Sequence, residues 1–204
     1  MEQNTCSIDC ISNIFGDFKA PNKLDSEILN KNMNVNNTYG TITPNGVQKL
    51  IQYLDINKYD TFLDLGSGIG NVVIQFTLNS PIEKSNGIEF LKTRYNKSLE
   101  YLTEFKKIFK QKLNNVNFIN GDINDYIINE NIVFTCSTCF PEHLMDIITS
   151  KCEENKNLKY LITQKKIKEN TKLDYVGNID LECSWNSKCI HHIYTNNNSK
   201  LIQN

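Results

Sequence analysis

Thr61-Phe62-Leu63-Asp64-Leu65 runs directly into Gly66-Ser67-Gly68-Ile69-Gly70. A short apolar run that stops at clustered glycines reads as a buried strand entering a tight turn. Val72, Val73 and Phe76 follow within 71–78, which predicts a helix leaving that turn. Working outward, the alternation repeats. Residues 84–90 predict a second strand, and 92–112 a long helix with Tyr95, Leu99, Leu102, Phe105 and Phe109 on one stripe. Strands follow at 116–119, 131–136 and 158–163, with a helix at 141–152 between the last two. Upstream, Thr43-Pro44 opens a helix, with Thr as N-cap and Pro at the first helical position. Its apolar residues Val47, Leu50, Ile51 and Leu54 keep helical spacing. After the fifth strand the helical signal fades, and 173–185 with 188–194 read as a closing antiparallel pair.

Strands alternating with helices imply a parallel sheet covered on both faces. A final β-β unit added to five β-α units predicts an α/β fold. Its seven-stranded, Rossmann-like sheet is of the class I methyltransferase kind, with helices on both faces. Right-handed crossovers leave it little topological freedom. The folded domain is expected over 38–195. Residues 1–37, weakly periodic and rich in Asn, read as an arm with one short helix near Leu24 to Leu29; residues 196–204 read as a frayed tail. Ligands of such sheets bind at the carboxyl ends of the strands. Residues 66–70, Glu89, Asp122 and 136–140 should therefore converge on one cleft.

The chain has 204 residues, 39% hydrophobic and 22% charged, with 22 Lys+Arg against 23 Asp+Glu. A formal charge of -1 excludes a histone-like basic chain. No apolar run reaches the roughly 20 residues that span a bilayer, and the first residues lack a signal-peptide core. An intracellular protein without a membrane partner is expected. Seven cysteines, an odd number, fit reduced thiols. Cys136-x-x-Cys139 with His143 supplies only half of a four-ligand zinc site, so no metal is expected.

Asp64 decides between cofactors. A dinucleotide site wants a glycine at 71, where Asn stands, and a leading carboxylate would repel a pyrophosphate. It suits a cationic amino group such as that of S-adenosylmethionine. Glu89, at the end of the second strand, can accept both ribose hydroxyls. Asp122, at the end of the third, can reach the adenine amino group, with Ile123 against the ring.

Tyr39-Gly40, the Asp64 to Gly68 stretch, Val72-Val73-Ile74-Gln75 and Gly87-Ile88-Glu89 together resemble the disruptor-of-telomeric-silencing family. These are histone-lysine N-methyltransferases that use this fold. The resemblance continues through Gly121-Asp122, residues 132–140, Thr163-Gln164-Lys165 and Ser184-Trp185, and covers about 38–195. It implies S-adenosylmethionine as cofactor and a core-histone lysine in the nucleosome as substrate, hence a chromatin regulator; the protein is expected in the nucleus if its substrate is chromatin and in the cytoplasm otherwise. By motif, Tyr39, Gly40, Thr41 and Ile42 form the loop over the cofactor. Asp64, Gly66, Ser67, Gly68 and Asn71 hold its methionine part, Glu89 the ribose, and Asp122 with Ile123 the adenine. Ser137, Tyr39, Trp185 and His191 (or its neighbour His192) are the candidates to orient the target amine. Two positions depart from the family pattern: Thr41 stands where an acid is usual, and Ser137 replaces the second Asn of Asn-Asn-Phe-Ala-Phe.

Methyl transfer to a lysine needs a neutral, aligned amine in a desolvated channel, and no metal. Lys165, Lys166 and Lys168, near the expected cleft, could contact DNA. Lys106, Lys107, Lys110 and Lys112 read as a solvated face. A methyltransferase acting on a non-histone lysine, or a partner module that binds the cofactor without turnover, are the competing readings. A nucleic-acid adenine methyltransferase would need an Asn/Asp-Pro-Pro-aromatic turn after the fourth strand, and Cys136-Ser137-Thr138-Cys139-Phe140 has no proline.

Overall fold

The computed structural model describes residues 6–15, 40–82 and 84–196. The strands are β1 (Thr61–Leu65), β2 (Lys84–Glu89), β3 (Val116–Asn120), β4 (Ile132–Thr135), β5 (Tyr160–Thr163), β6 (Leu173–Cys183) and β7 (Asn186–Asn196). They form one sheet in the order β3-β2-β1-β4-β5-β7-β6. β1 to β5 are parallel, and β7 runs antiparallel to both its neighbours. The α/β expectation and the closing antiparallel pair are both met.

The helices are α1 (Ile8–Phe15), α2 (Pro44–Tyr53), α3 (Asn71–Asn79), α4 (Lys92–Phe109) and α5 (Glu142–Glu154). Strand side chains alternate between faces, and each face has its own core. Phe62, Phe134, Ile162 and Ile193 pack under α1 to α4. Leu63, Leu65, Val133 and Leu161 pack under α5. Asp64 shares its face with Phe62, so it points to the side of α2 and α3, where the chain enters from Gly40.

Thr43 caps α2 as anticipated, accepting from the Gly46 N–H at 3.2 Å. The same hydroxyl donates to the Glu182 carbonyl at 3.2 Å. This cap therefore also fastens α2 to β6.

Two readings need correction. Leu99 is not on the buried stripe of α4. Its buried residues are Ser98, Leu102 and Phe105, and Leu99 stays exposed. The small Ser98 is what fits there, because it lies beside Gly70. Within the supposed arm, α1 docks on the core. Phe15 packs on Tyr101 and Phe105 at 4.7 and 5.0 Å, and the Tyr101 hydroxyl donates to the Phe15 carbonyl. Ile8, Ile11 and Phe15 already carry helical spacing, and Asn-rich neighbours obscured it. The short helix expected near Leu24 to Leu29, and residues 197–204 of the tail, lie outside the described residues.

Candidate active site

The glycine turn is braced from both sides. The Gly66 and Ser67 N–H groups both donate to the Ile88 carbonyl at 2.9 Å. The Gly68 N–H donates to Glu89 Oε2 at 2.8 Å, and the Leu91 N–H to Oε1 at 2.8 Å. Glu89 thus fixes the turn and the start of α4 together. Gly70 is left-handed, with φ +83°, and a Cβ there would lie 2.3 Å from the Phe118 ring.

A small cleft opens beside this turn. Gly40, Thr41 and Ile42 form one wall, and Asp64, Gly66, Ser67 and Gly68 the floor. Asn71, Val72, Phe134 and Cys136 complete it. Gly40, Thr41 and Ile42 of the expected cofactor loop thus meet the five residues expected around the methionine part, Asp64, Gly66, Ser67, Gly68 and Asn71. The Asn71 side-chain amide donates to Thr41 Oγ1 at 2.8 Å and ties the 40–42 wall to the start of α3.

Asp64 is buried, and its carboxyl group accepts no hydrogen bond among the described residues. Burial, and then the Glu89 carboxylate, push its pKa up to about 8. The Ser67 hydroxyl in the same floor is also buried, with no partner among the described residues. A buried acceptor left unpaired is costly, so this floor fits a ligand carrying a cationic hydrogen-bond donor. That matches the amino-acid end of S-adenosylmethionine.

Glu89, Asp122 and Ile123 stand at the ends of β2 and β3, outside the cleft lining. Asp122 Oδ1 accepts the Asn124 N–H at 2.8 Å, and Ile123 packs into the α5-side core. The enclosed cleft therefore suits the amino-acid end of a ligand, with its remainder toward β2 and β3.

The proposed amine-orienting residues separate. Tyr39 lies outside the described residues. Ser137 is fully buried and outside the cleft, and its hydroxyl accepts the Lys165 N–H at 2.9 Å. It ties the end of β4 to the segment that follows β5. Cys136 faces the cleft in its place, on the same sheet face as Phe134, with its thiol pushed up to about 12 by burial and by Asp64. Its position directly after the apolar run of β4 is the signal that could have marked it.

Ser137→Ala is expected to cost about 1–2 kcal/mol by orphaning a backbone N–H, with cofactor affinity unchanged. Thermal unfolding and calorimetric titration check this. An unaltered melting temperature with abolished methyl transfer would reverse the assignment.

Trp185 is not a core residue. At 44% exposure it forms the tip of the β6–β7 hairpin and lies on Gly40, where a Cβ would meet the indole at 2.1 Å. His191 is fully buried, stacked 5.9 Å from Phe134. Its Nδ1–H donates to the Cys189 carbonyl at 2.9 Å, and Nε2 has no partner. Burial lowers its pKa, so the ring is neutral. His192, its neighbour, projects to the opposite sheet face by strand alternation.

The second lysine run is engaged. Lys165 Nζ donates to the Phe140 carbonyl, Lys166 pairs with Glu169 at 3.7 Å, and Lys168 with Asp146 at 2.6 Å. No group of His, Cys, Asp and Glu among the described residues could hold a metal ion. All seven cysteines are free. No helix of the described residues is long and apolar enough to cross a membrane.

The sheet order, the glycine turn and the cleft define a class I, S-adenosylmethionine-dependent methyltransferase fold. Solved structures share it. The magnesium protoporphyrin IX methyltransferase of Synechocystis PCC 6803, with bound SAM, aligns at TM-score 0.57 and 10% identity over 90% of this chain and 88% of that one. An RNA methyltransferase from Salinibacter ruber, in complex with S-adenosyl-L-homocysteine, aligns at 0.52 and 20% identity over 73% and 88%.

The chain belongs to the family described as histone methylation protein DOT1, which matches residues 21–197. A Drosophila melanogaster relative named histone-lysine N-methyltransferase, H3 lysine-79 specific, is 32% identical over 110 residues, 50% of this chain. A Caenorhabditis elegans relative of the same name is 29% identical over 145 residues, 66% of this chain. The matched stretches span only 6% and 15% of those relatives.

Proposed function

We propose that this protein is an S-adenosylmethionine-dependent N-methyltransferase that modifies a lysine of a core histone within nucleosomes, and so acts in the nucleus. The observation that carries the reading is Asp64, a buried carboxyl group with no hydrogen-bond partner among the described residues, in a cleft walled by the glycine turn. Membership of the DOT1 family supports the histone substrate.

When bound, the cofactor supplies a methyl group activated by its sulfonium. The chain's own residues do the rest. Asp64 and the Ser67 hydroxyl would hold the amino-acid end. Glu89 would take the ribose hydroxyls, and Asp122 with Ile123 the adenine. Phe134 and Ile42 give the cleft apolar walls that exclude water, which strengthens the attraction between Asp64 and the cofactor's cationic amino group. The exposed face of Trp185 offers an aromatic surface to the aliphatic stem of an arriving lysine, with cation–π attraction for the methylated product.

The test is transfer of labelled methyl from S-adenosylmethionine to nucleosomes, free core histones and whole-cell lysate. Gly68→Arg, which fills the cleft floor, is the inactive control. Labelling of a core histone in nucleosomes by the wild type alone is expected. Absence of transfer to any acceptor, with cofactor binding intact, would leave a binding module instead.

A second reading is a lysine methyltransferase of non-histone proteins. The observation favouring it is that Lys165, Lys166 and Lys168 each have a partner within the chain, with which a DNA phosphate would have to compete. Label confined to other lysate proteins would select it.

A further inference from the structure

The loop that walls the cleft and the tip of the β6–β7 hairpin are bonded to each other residue by residue. The Ser184 N–H donates to the Thr41 carbonyl at 2.9 Å, and the Thr41 N–H donates back to Ser184 Oγ at 3.3 Å. Ile42 bridges Cys183. The Thr43 N–H donates to the Glu182 carbonyl at 2.9 Å. Residues 41–43 thus form a short extra strand along 182–184. Trp185 completes the union by lying on Gly40, and this contact explains the glycine there. Any side chain at 40 would displace the indole.

The Trp185 ring therefore has two different faces. One rests on a loop whose other side forms the cleft wall, and the second is open. Gly40, Thr41 and Ile42 cannot shift toward a ligand without carrying Ser184 and Trp185 with them. On the opposite side, Asn71 fastens Thr41 to the first turn of α3, directly after the glycine turn. A continuous chain of contacts leads from the cleft floor to an exposed aromatic ring.

We propose that Ser184 is a positioning residue. It couples residues 40–43 to the hairpin tip, so that occupancy of the cleft sets the position of Trp185 and with it the affinity for the protein acceptor. This rests on the methyltransferase reading and adds regulation of the same site. By thermodynamic linkage the coupling is reciprocal: the acceptor tightens the cofactor by the same factor that the cofactor tightens the acceptor.

Trp185 is the single tryptophan of the chain, so its fluorescence reports on this tip alone. The experiment titrates the full chain with S-adenosylhomocysteine. It follows heat of binding by calorimetry, and Trp185 emission with its quenching by acrylamide. A saturable change in emission and quenching, with the calorimetric midpoint, is expected. Ser184→Pro, which removes both the N–H and the hydroxyl that hold Thr41, should still bind S-adenosylhomocysteine but lose that change. A second arm measures the same affinity with and without saturating nucleosomes. The wild type should show a difference of about fivefold or more, and Ser184→Pro should show none. Heat of binding without any response of Trp185 would overturn the proposal, as would a Ser184→Pro variant that keeps both the response and the affinity difference. Absence of binding heat in the wild type would defeat the methyltransferase reading itself, and the coupling with it. Trp185 responding to S-adenosylhomocysteine while nucleosomes leave its affinity unchanged would reject the acceptor half of the coupling alone.

Discussion

Asp64→Asn should make the cofactor-free protein more stable and the cofactor complex weaker. The two signs follow from one carboxylate. Its pKa is raised from the ordinary aspartate range to about 8 by burial and by Glu89. A raised folded-state value means that the protonated form is the one the fold accepts. Its contribution to stability is therefore complete below the unfolded-state value near 4. It declines as pH rises, and is lost once pH passes about 8. One pKa unit is worth about 1.4 kcal/mol. Taking only half of the shift, to allow for relaxation and water entry, gives roughly 3 kcal/mol of stabilisation by asparagine at pH 8.

For binding, a cationic amine beside Asp64 favours the ionised form that the empty protein resists, so binding should release a proton. Calorimetry in buffers of different ionisation enthalpy would detect it below pH 8. Asparagine cannot supply the charge, and a loss of about tenfold to a hundredfold in affinity for S-adenosylmethionine is expected, the scale of a charge-assisted hydrogen bond. Equal affinities, or a less stable variant, would show that Asp64 has a partner other than a ligand.

The second large effect is Gly70→Val. This residue begins α3 at φ +83°, and its notional Cβ lies 2.3 Å from Phe118 Cζ and 3.1 Å from Ser98 Cβ. A β-branched residue in the left-handed region costs about 1–2 kcal/mol, and overpacking adds about 1–3. For a chain of this length each kcal/mol moves the melting temperature by about 2–4 °C. A fall of roughly 10 °C is expected by scanning calorimetry. Gly121→Ala is the comparison. Its Cβ would find only ordinary contacts, at 3.7 and 3.8 Å, and the melting temperature should hold. Similar melting temperatures for both variants would refute the packing argument.

The fold was legible because its signals are local. Glycines at 66, 68 and 70 after an apolar run, Thr43-Pro44, and the switch from period 3.6 to period 2 near 173 are each read within a few residues. The floor of the cleft was legible for the same reason, since Asp64 and the turn are contiguous. Roles decided between distant strands were not. Whether residue 136 or 137 faces the cleft depends on where β4 ends relative to β5, and the Ser137 hydroxyl is claimed by Lys165, 28 residues away. Trp185 is large and apolar enough to suggest the core. Only the path of residues 40–43 along 182–184 shows why it stays outside. The lysines at 165 and 168 looked like an open basic face, because Phe140 and Asp146 meet them only in three dimensions; the partner of Lys166, Glu169, stands three residues on.

The place of β7 in the sheet has a bearing on synthesis. This strand is the last in the described chain, yet it lies inside the sheet, between β5 and β6. A ribosome delivers β6 before it delivers the partner that attaches β6 to anything. Until residues near 196 have left the exit tunnel, the apolar edge Leu161-Ile162-Thr163 stays bare, and bare edges of this kind invite pairing with other chains. Premature termination anywhere in the hairpin should therefore release an aggregation-prone five-stranded sheet in place of a slightly shortened protein.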